Sequence, residues 1–158
     1  MQKTTIAALA ALLIAASSCG GYKAHEATID AHVADALQLA EADRVCMQTD
    51  TCTWQIASAG ITVYGSKAYD KGIRGFAGPT HVYIAVGHDG RIIGVIADDN
   101  AESPEFFGKL KDAHFFDNWN GLTLAEAASK EVDAVTGATY SSRGIADAVK
   151  ATAQAVKE

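Results

Sequence analysis

Basic residues are in the minority: 13 Lys and Arg stand against 19 Asp and Glu, for a net charge of -6. That balance leaves no electropositive footprint for a phosphate backbone, so DNA and RNA are excluded as partners. Cysteine is scarce too, with 3 in 158 residues. This is too few for a four-thiolate iron–sulfur cluster. No Cys-x-x-Cys-His offers a haem attachment site, and no second Cys or His pair follows at zinc-ligand spacing. The longest apolar run, Ile6 to Ala16, covers 11 residues, well short of the roughly 20 that a membrane-spanning helix needs. Internal repeats, charge blocks and low-complexity tracts are also lacking. What is present is 49% hydrophobic and 20% charged, the balance of an ordinary globular chain of one-domain length.

The apolar run follows Lys3, as the h-region of a signal peptide follows its positive n-region. It ends in Ala16-Ser17-Ser18-Cys19-Gly20, which resembles a bacterial lipoprotein signal, where a cysteine after small residues is lipid-modified and becomes the mature N-terminus. A plain secretory cleavage site nearby is the alternative, and either one takes the domain out of the cytoplasm. The expected division is a signal peptide over 1–18, a lipid-anchored leader over 19–26 and a folded domain over 27–158. Loss of Lys3 with the signal makes the mature chain one charge more negative. With Cys19 assigned to lipid, Cys46 and Cys52 remain, and an oxidising compartment predicts a local disulfide that pins a turn. A redox-active pair is the alternative, although the two-residue spacing of thioredoxin-like motifs is missing.

Along the mature chain, Ile29, Val33, Ala36, Leu37 and Ala40 recur at helical spacing and predict an amphipathic helix. Trp54–Ala57 with Ile61–Gly65, and Val82–Val86 with Ile92–Ile96, read as two β-hairpins around glycine-containing turns. The glycine-rich but apolar stretch Tyr69–Pro79 between them predicts a structured binding loop. A short helix follows Pro104, Thr123 and Glu126 form a capping box, and Ile145, Ala148, Val149, Thr152 and Val156 predict a long C-terminal helix capped by Ser141 or Ser142. Central antiparallel hairpins flanked by terminal amphipathic helices make a single-domain α+β fold.

The segment Glu131 to Ser142 passes from a β-like run through small residues into a hydroxyl-rich helix start. Gly137 and Ala138 allow close backbone approach, and the free N–H groups and dipole of a helix start favour an anion. Caps and phosphate ligands remain alternative readings of those hydroxyls. His81, His88 and His114 are scattered and read as surface or structural residues, not as metal ligands. Trp54, Trp119, Phe76 and the pair Phe115-Phe116 read as core, with one of them available to stack on a planar ligand.

Asp133, Thr136, Gly137, Ala138 and Thr139 together resemble the Asp-x-x-(Ser/Thr)-Gly-Ala-Thr motif of the FMN-binding domain family, which includes the C subunit of the sodium-pumping NADH:quinone reductase and the G subunit of the Rnf complex. Asn100-Ala101-Glu102-Ser103-Pro104 is similar to the family's His-x-Glu-(Thr/Ser)-Pro segment and departs from it at Asn100. Gly75 to Pro79 with the strands after it looks like the family's Gly-x-x-Gly-Pro strand, turn and strand, so the resemblance spans about Tyr64 to Val149.

The resemblance implies FMN carried on Thr139 through a phosphoester bond, with Thr136, Gly137, Ala138, Glu102, Ser103, Pro104, Gly78 and Pro79 around it. Thr139 has no adjacent His or Lys to activate its hydroxyl, so a separate Mg-dependent flavin transferase is expected to take FMN from FAD and attach it. Asp133 is assigned to recognition by that transferase or to metal binding in the transfer complex. The expected function is a lipid-anchored, extracytoplasmic electron carrier that works between membrane or extracytoplasmic redox partners. Its acidic surroundings, Glu102 among them, predict a low reduction potential. The rivals are a small flavin-dependent reductase subunit and a noncovalent FMN binder or structural lipoprotein.

Overall fold

The computed structural model describes residues 22–156. The expected signal peptide and the lipid-bearing Cys19 lie outside the described residues. Six strands run as a meander in which each pairs antiparallel with its neighbour in sequence: β1 His25–Thr28, β2 Val45–Asp50, β3 Thr53–Ile56, β4 Ile61–Gly65, β5 Val82–Val86 and β6 Ile92–Ala97. The helices are α1 Ala31–Ala36, α2 Pro104–Asp112, α3 Leu124–Ser129 and α4 Thr139–Val156. The fold is single-domain α+β, as the sequence predicts. β1 straddles the expected start of the domain at residue 27.

β5 is buried along its whole length because the sheet has a core on each face. Val82, Ile84 and Val86 point to one side, where α2, α3, α4, Phe115 and Trp119 close a large cluster with Leu110, Ile145 and Val149. Tyr83 and Ala85 point to the other, onto Val33, Ile56 and Val63 under α1. The period-2 geometry of a strand thus turns one apolar run into two half-cores.

The helix starts follow their local chemistry. Ser103 accepts a hydrogen bond from the Phe106 N–H with Pro104 in the first turn, and Thr123 and Glu126 form the complete capping box. The first helix is much shorter than the expected span from Ile29 to Ala40. Gln38 takes a left-handed φ of 54°, Leu39 N–H bonds back to Ala34 O, and Gln38 N–H bonds to Asp35 O. This is a Schellman ending, which stops the helix while Leu37 and Leu39 still pack on the second core.

The expected disulfide is not formed: Cys46 and Cys52 are free and buried. Cys46 sits on β2 at the level of Ala27, to whose carbonyl its thiol donates, and Cys52 sits in the turn that joins β2 to β3. Met47 pairs with Gln55 in the hairpin. That register carries Cys46 to the level of Ile56, well beyond Cys52, a separation of about 13 Å along the strand and more than a disulfide spans.

Candidate functional site

Three segments converge beside the start of α4. The first is the turn Val135 to Ala138. Ala138 N–H closes it on Val135 O at 2.9 Å, and Gly137 has φ +80°, the left-handed conformation that favours glycine at the third position of such a turn. No strand forms over 131–135, where the sequence reads as β-like. Instead Ser142, a full helical turn on, accepts from Val135 N–H at 3.1 Å and donates to Ala138 O at 2.9 Å, clamping the turn to the helix. Ala138 is buried in the main core and fixes the height of the turn. Helical bonding begins with Ser142 N–H on Ala138 O, which leaves the N–H groups of Thr139, Tyr140 and Ser141 at an open helix start. Thr139 is therefore the first helical residue, and Ser141 and Ser142 serve the turn and the site, not the expected cap.

The second segment is the loop from Asp70 to His81, which β4 and β5 hold at its two ends. Asp70 accepts from both Ser66 Oγ (2.5 Å) and His81 Nδ1 (2.7 Å), and Ser66 in turn accepts from Val82 N–H. His81 is thus a structural residue, as the sequence predicts. Further along, Arg74 and Pro79 pair across the loop, and Gly75 N–H bonds to Gly78 O. The loop then lies directly on α4. A Cβ on Gly144 would come within 2.7 Å of Thr80 Oγ1 and 2.8 Å of Arg74 O and Gly75 N, so only glycine permits this approach.

The third segment carries Glu102, buried at 8% exposure. One carboxylate oxygen accepts from Ala77 N–H at 2.9 Å and the other from Ser141 Oγ at 2.5 Å. Glu102 therefore binds the loop to the first turn of α4. The residue that departs from the family pattern contributes locally, since Asn100 Oδ1 accepts from Glu102 N–H at 3.0 Å and shapes the turn that presents Glu102.

Between these segments lies a cleft of about 210 Å³ lined by Phe76, Phe106 and Gly137 to Ser141. Phe76 is not a core residue. It is 69% exposed, with its ring centroid 6.2 Å from those of both Phe106 and Tyr140, and Tyr140 is itself 66% exposed. Trp119 and Phe115 are core, Phe116 is half-buried against them and Trp54 packs on the opposite face of the sheet. Among the described residues Thr139 Oγ has no hydrogen-bond partner, and it is half-buried at the cleft.

Of the residues singled out in the sequence, Gly78, Glu102, Gly137, Ala138 and Thr139 belong to this assembly. Pro79 closes the loop bridge, while Ser103 and Pro104 are spent on starting α2. Thr136 and Asp133 are exposed on the segment leading into the turn. Lys109 escaped the sequence reading. It comes from α2, and a Cβ on Gly137 would lie 3.1 Å from its Nζ, so the ammonium lies across the motif turn. Only the packing of α2 against α4 brings these distant positions together.

A protein-family model of the FMN-binding domain matches residues 75–154. The chain belongs to the FMN-binding domain family. No curated protein and no solved structure matches it. The match begins at Gly75 and ends in α4, and so takes in the loop from Gly75 onward, Glu102 and the motif turn, while Asp70 and Arg74 precede it. FMN is the cofactor this family implies, and the residues present fit it. The cleft has an aromatic wall for a flat ring, a glycine turn open to close approach and a hydroxyl without a partner at its edge.

Proposed function

We propose that this FMN-binding domain protein is an extracytoplasmic electron-transfer flavoprotein that carries one FMN covalently on Thr139 through a phosphoester bond. The observation that carries the reading is the placement of Thr139: first residue of α4, hydroxyl unpartnered, directly after the Gly137 turn and on the wall of the aromatic cleft. Bound there, the isoalloxazine supplies the redox chemistry, and the protein supplies position, hydrogen bonding and charge. Phe76 and Phe106 offer faces for stacking, while the loop glycines and Glu102 hold that wall against α4.

Attachment belongs to a Mg-dependent flavin transferase with FAD as the FMN donor. The Thr139 hydroxyl oxygen forms the new bond to the phosphorus of the FMN half and gives up its proton to a base of the transferase, while the anhydride P–O bond breaks and AMP leaves with its electron pair. The exposure of Thr136, Gly137 and Asp133 on one stretch supports access by such an enzyme, with Asp133 read as its recognition or metal-binding residue. Export as a lipoprotein through Cys19 supports a membrane-side redox partner. Among the described residues no helix is long and apolar enough to cross a membrane.

The test is mass spectrometry of the tryptic peptide Glu131 to Arg143 from protein exported in a host that expresses a flavin transferase. The expected result is a mass increase of FMN less water on Thr139, lost in Thr139→Ala. An unmodified peptide despite an active transferase overturns the covalent reading.

A further inference from the structure

Lys109 is the cation nearest the motif turn, and the function described above leaves it without a task. Its Nζ is 3.6 Å from Glu105 Oε1, too far for a hydrogen bond, and Glu105 is itself strongly exposed. The ammonium lies 5.0 Å from the Phe106 ring centre, over one of the two rings that wall the cleft. On its other side the stem runs along Gly137, whose missing side chain makes the room: a Cβ there would lie 3.1 Å from Nζ and 3.4 Å from Cδ. Lys109 is thus packed between an aromatic face and a glycine turn, with its charge opposed only by a loose, solvated carboxylate. Lys111, two residues on, lies over Phe107 instead, 5.4 Å from its centroid.

We propose that Lys109 is the counter-charge of the phosphodiester on Thr139, holding the phosphate at the Gly137 turn and so fixing where the flavin leaves the protein surface. The inference rests on the covalent reading above. A phosphodiester keeps one negative charge at every physiological pH, and the ammonium is the closest cation to the turn that delivers Thr139. The cation–π contact with Phe106 holds the lysine in place before any phosphate arrives, so little side-chain freedom remains to be lost when the pair forms. A charge-assisted hydrogen bond between the two then opposes swinging of the ribityl chain. Gly137 has two duties on this account: it supplies the left-handed turn and it leaves the space through which Lys109 reaches the site.

The experiment compares full-length exported protein with its Thr139→Ala variant, both made alongside a flavin transferase. Brief amine acylation of the folded proteins is followed by digestion and mass spectrometry. In flavinylated protein Lys109 is expected to react about tenfold more slowly than in Thr139→Ala, the scale of a hydrogen bond to a charged group, while Lys111 reacts equally in both. The phosphorus NMR resonance of the flavinylated protein gives a second readout. It is expected to move in Lys109→Gln and to stay in Lys109→Arg, with thermal stability unchanged in both because Lys109 lies outside the core. Equal labelling of Lys109 with and without flavin on Thr139, or a phosphorus resonance indifferent to Lys109→Gln, overturns the inference alone. Absence of flavin on Thr139 in the same digest overturns the covalent reading and the inference with it.

Discussion

At the scale of single residues, Gly137 bears the heaviest constraint. Its φ of +80° and the close stem of Lys109 both penalise a side chain. Gly137→Ala is expected to destabilise the domain by about 1–2 kcal/mol, measured by urea unfolding of the unflavinylated protein. A wild-type midpoint in that variant would show that the turn relaxes freely. The two thiols allow a second check. Burial pushes the Cys46 thiol up from its ordinary value and so keeps it in its unreactive protonated form. Alkylation of native protein is expected to spare Cys46, whereas alkylation in denaturant labels Cys46 and Cys52 without prior reduction. A requirement for reductant would restore the disulfide that the hairpin geometry excludes.

At the scale of elements, the loop and α4 act as one unit, because Glu102 ties Ala77 to Ser141 and Gly144 lets the helix lie on Arg74 and Gly75. Gly144→Ala must push the loop away from the helix. The expected cost is about 1–3 kcal/mol, by the overpacking rule, together with a change in flavin emission as the Phe76 wall moves off the helix. Thermal unfolding and emission spectra would check the two parts. Which elements were legible in the sequence follows from what holds them. The starts of α2 and α3 were legible because Ser103, Pro104, Thr123 and Glu126 cap within four residues. β1 and β2 were not, since β1 is a short, mostly polar edge strand and β2 inverts the expected pattern, with Val45 and Met47 exposed beside buried Cys46. Residues 131–135 show strand composition without a strand partner, and Ser142 claims the Val135 N–H instead. The end of α1 turns on Gln38 adopting a conformation that sequence pattern assigns to glycine. The motif residues were legible because a turn and a helix start are local. Lys109 and the aromatic wall depend on tertiary packing and carry no local signal.

At the scale of the whole molecule, Asp98 links parts that the sheet alone does not. It follows β6, takes Lys67 Nζ at 2.6 Å from the short turn after β4, and lies 3.7 Å from His32 on α1. Burial works to raise its carboxyl, but Lys67, the Asp99 N–H and His32 outweigh it and hold the group below the usual carboxylate range. A depressed folded value means that the stabilisation is complete above the unfolded value of about 3.9 and is lost as pH falls through the folded one. Asp98→Asn is therefore expected to melt lower than wild type near neutrality, with the difference closing below about pH 4. A gap that stays constant with pH would remove Asp98 from the acid response.

The clamp between Ser142 and Val135 also imposes an order in time. A nascent chain delivers the loop and Glu102 first and the turn next, yet the turn has no fixed shape until α4 has wound at least to Ser142 and docked. An enzyme that reads the shape of this turn is then blind to half-made chains. A cofactor loaded on Thr139 would serve as a receipt for completed folding, and its yield in a mutant library would rank folding defects anywhere in this half of the domain.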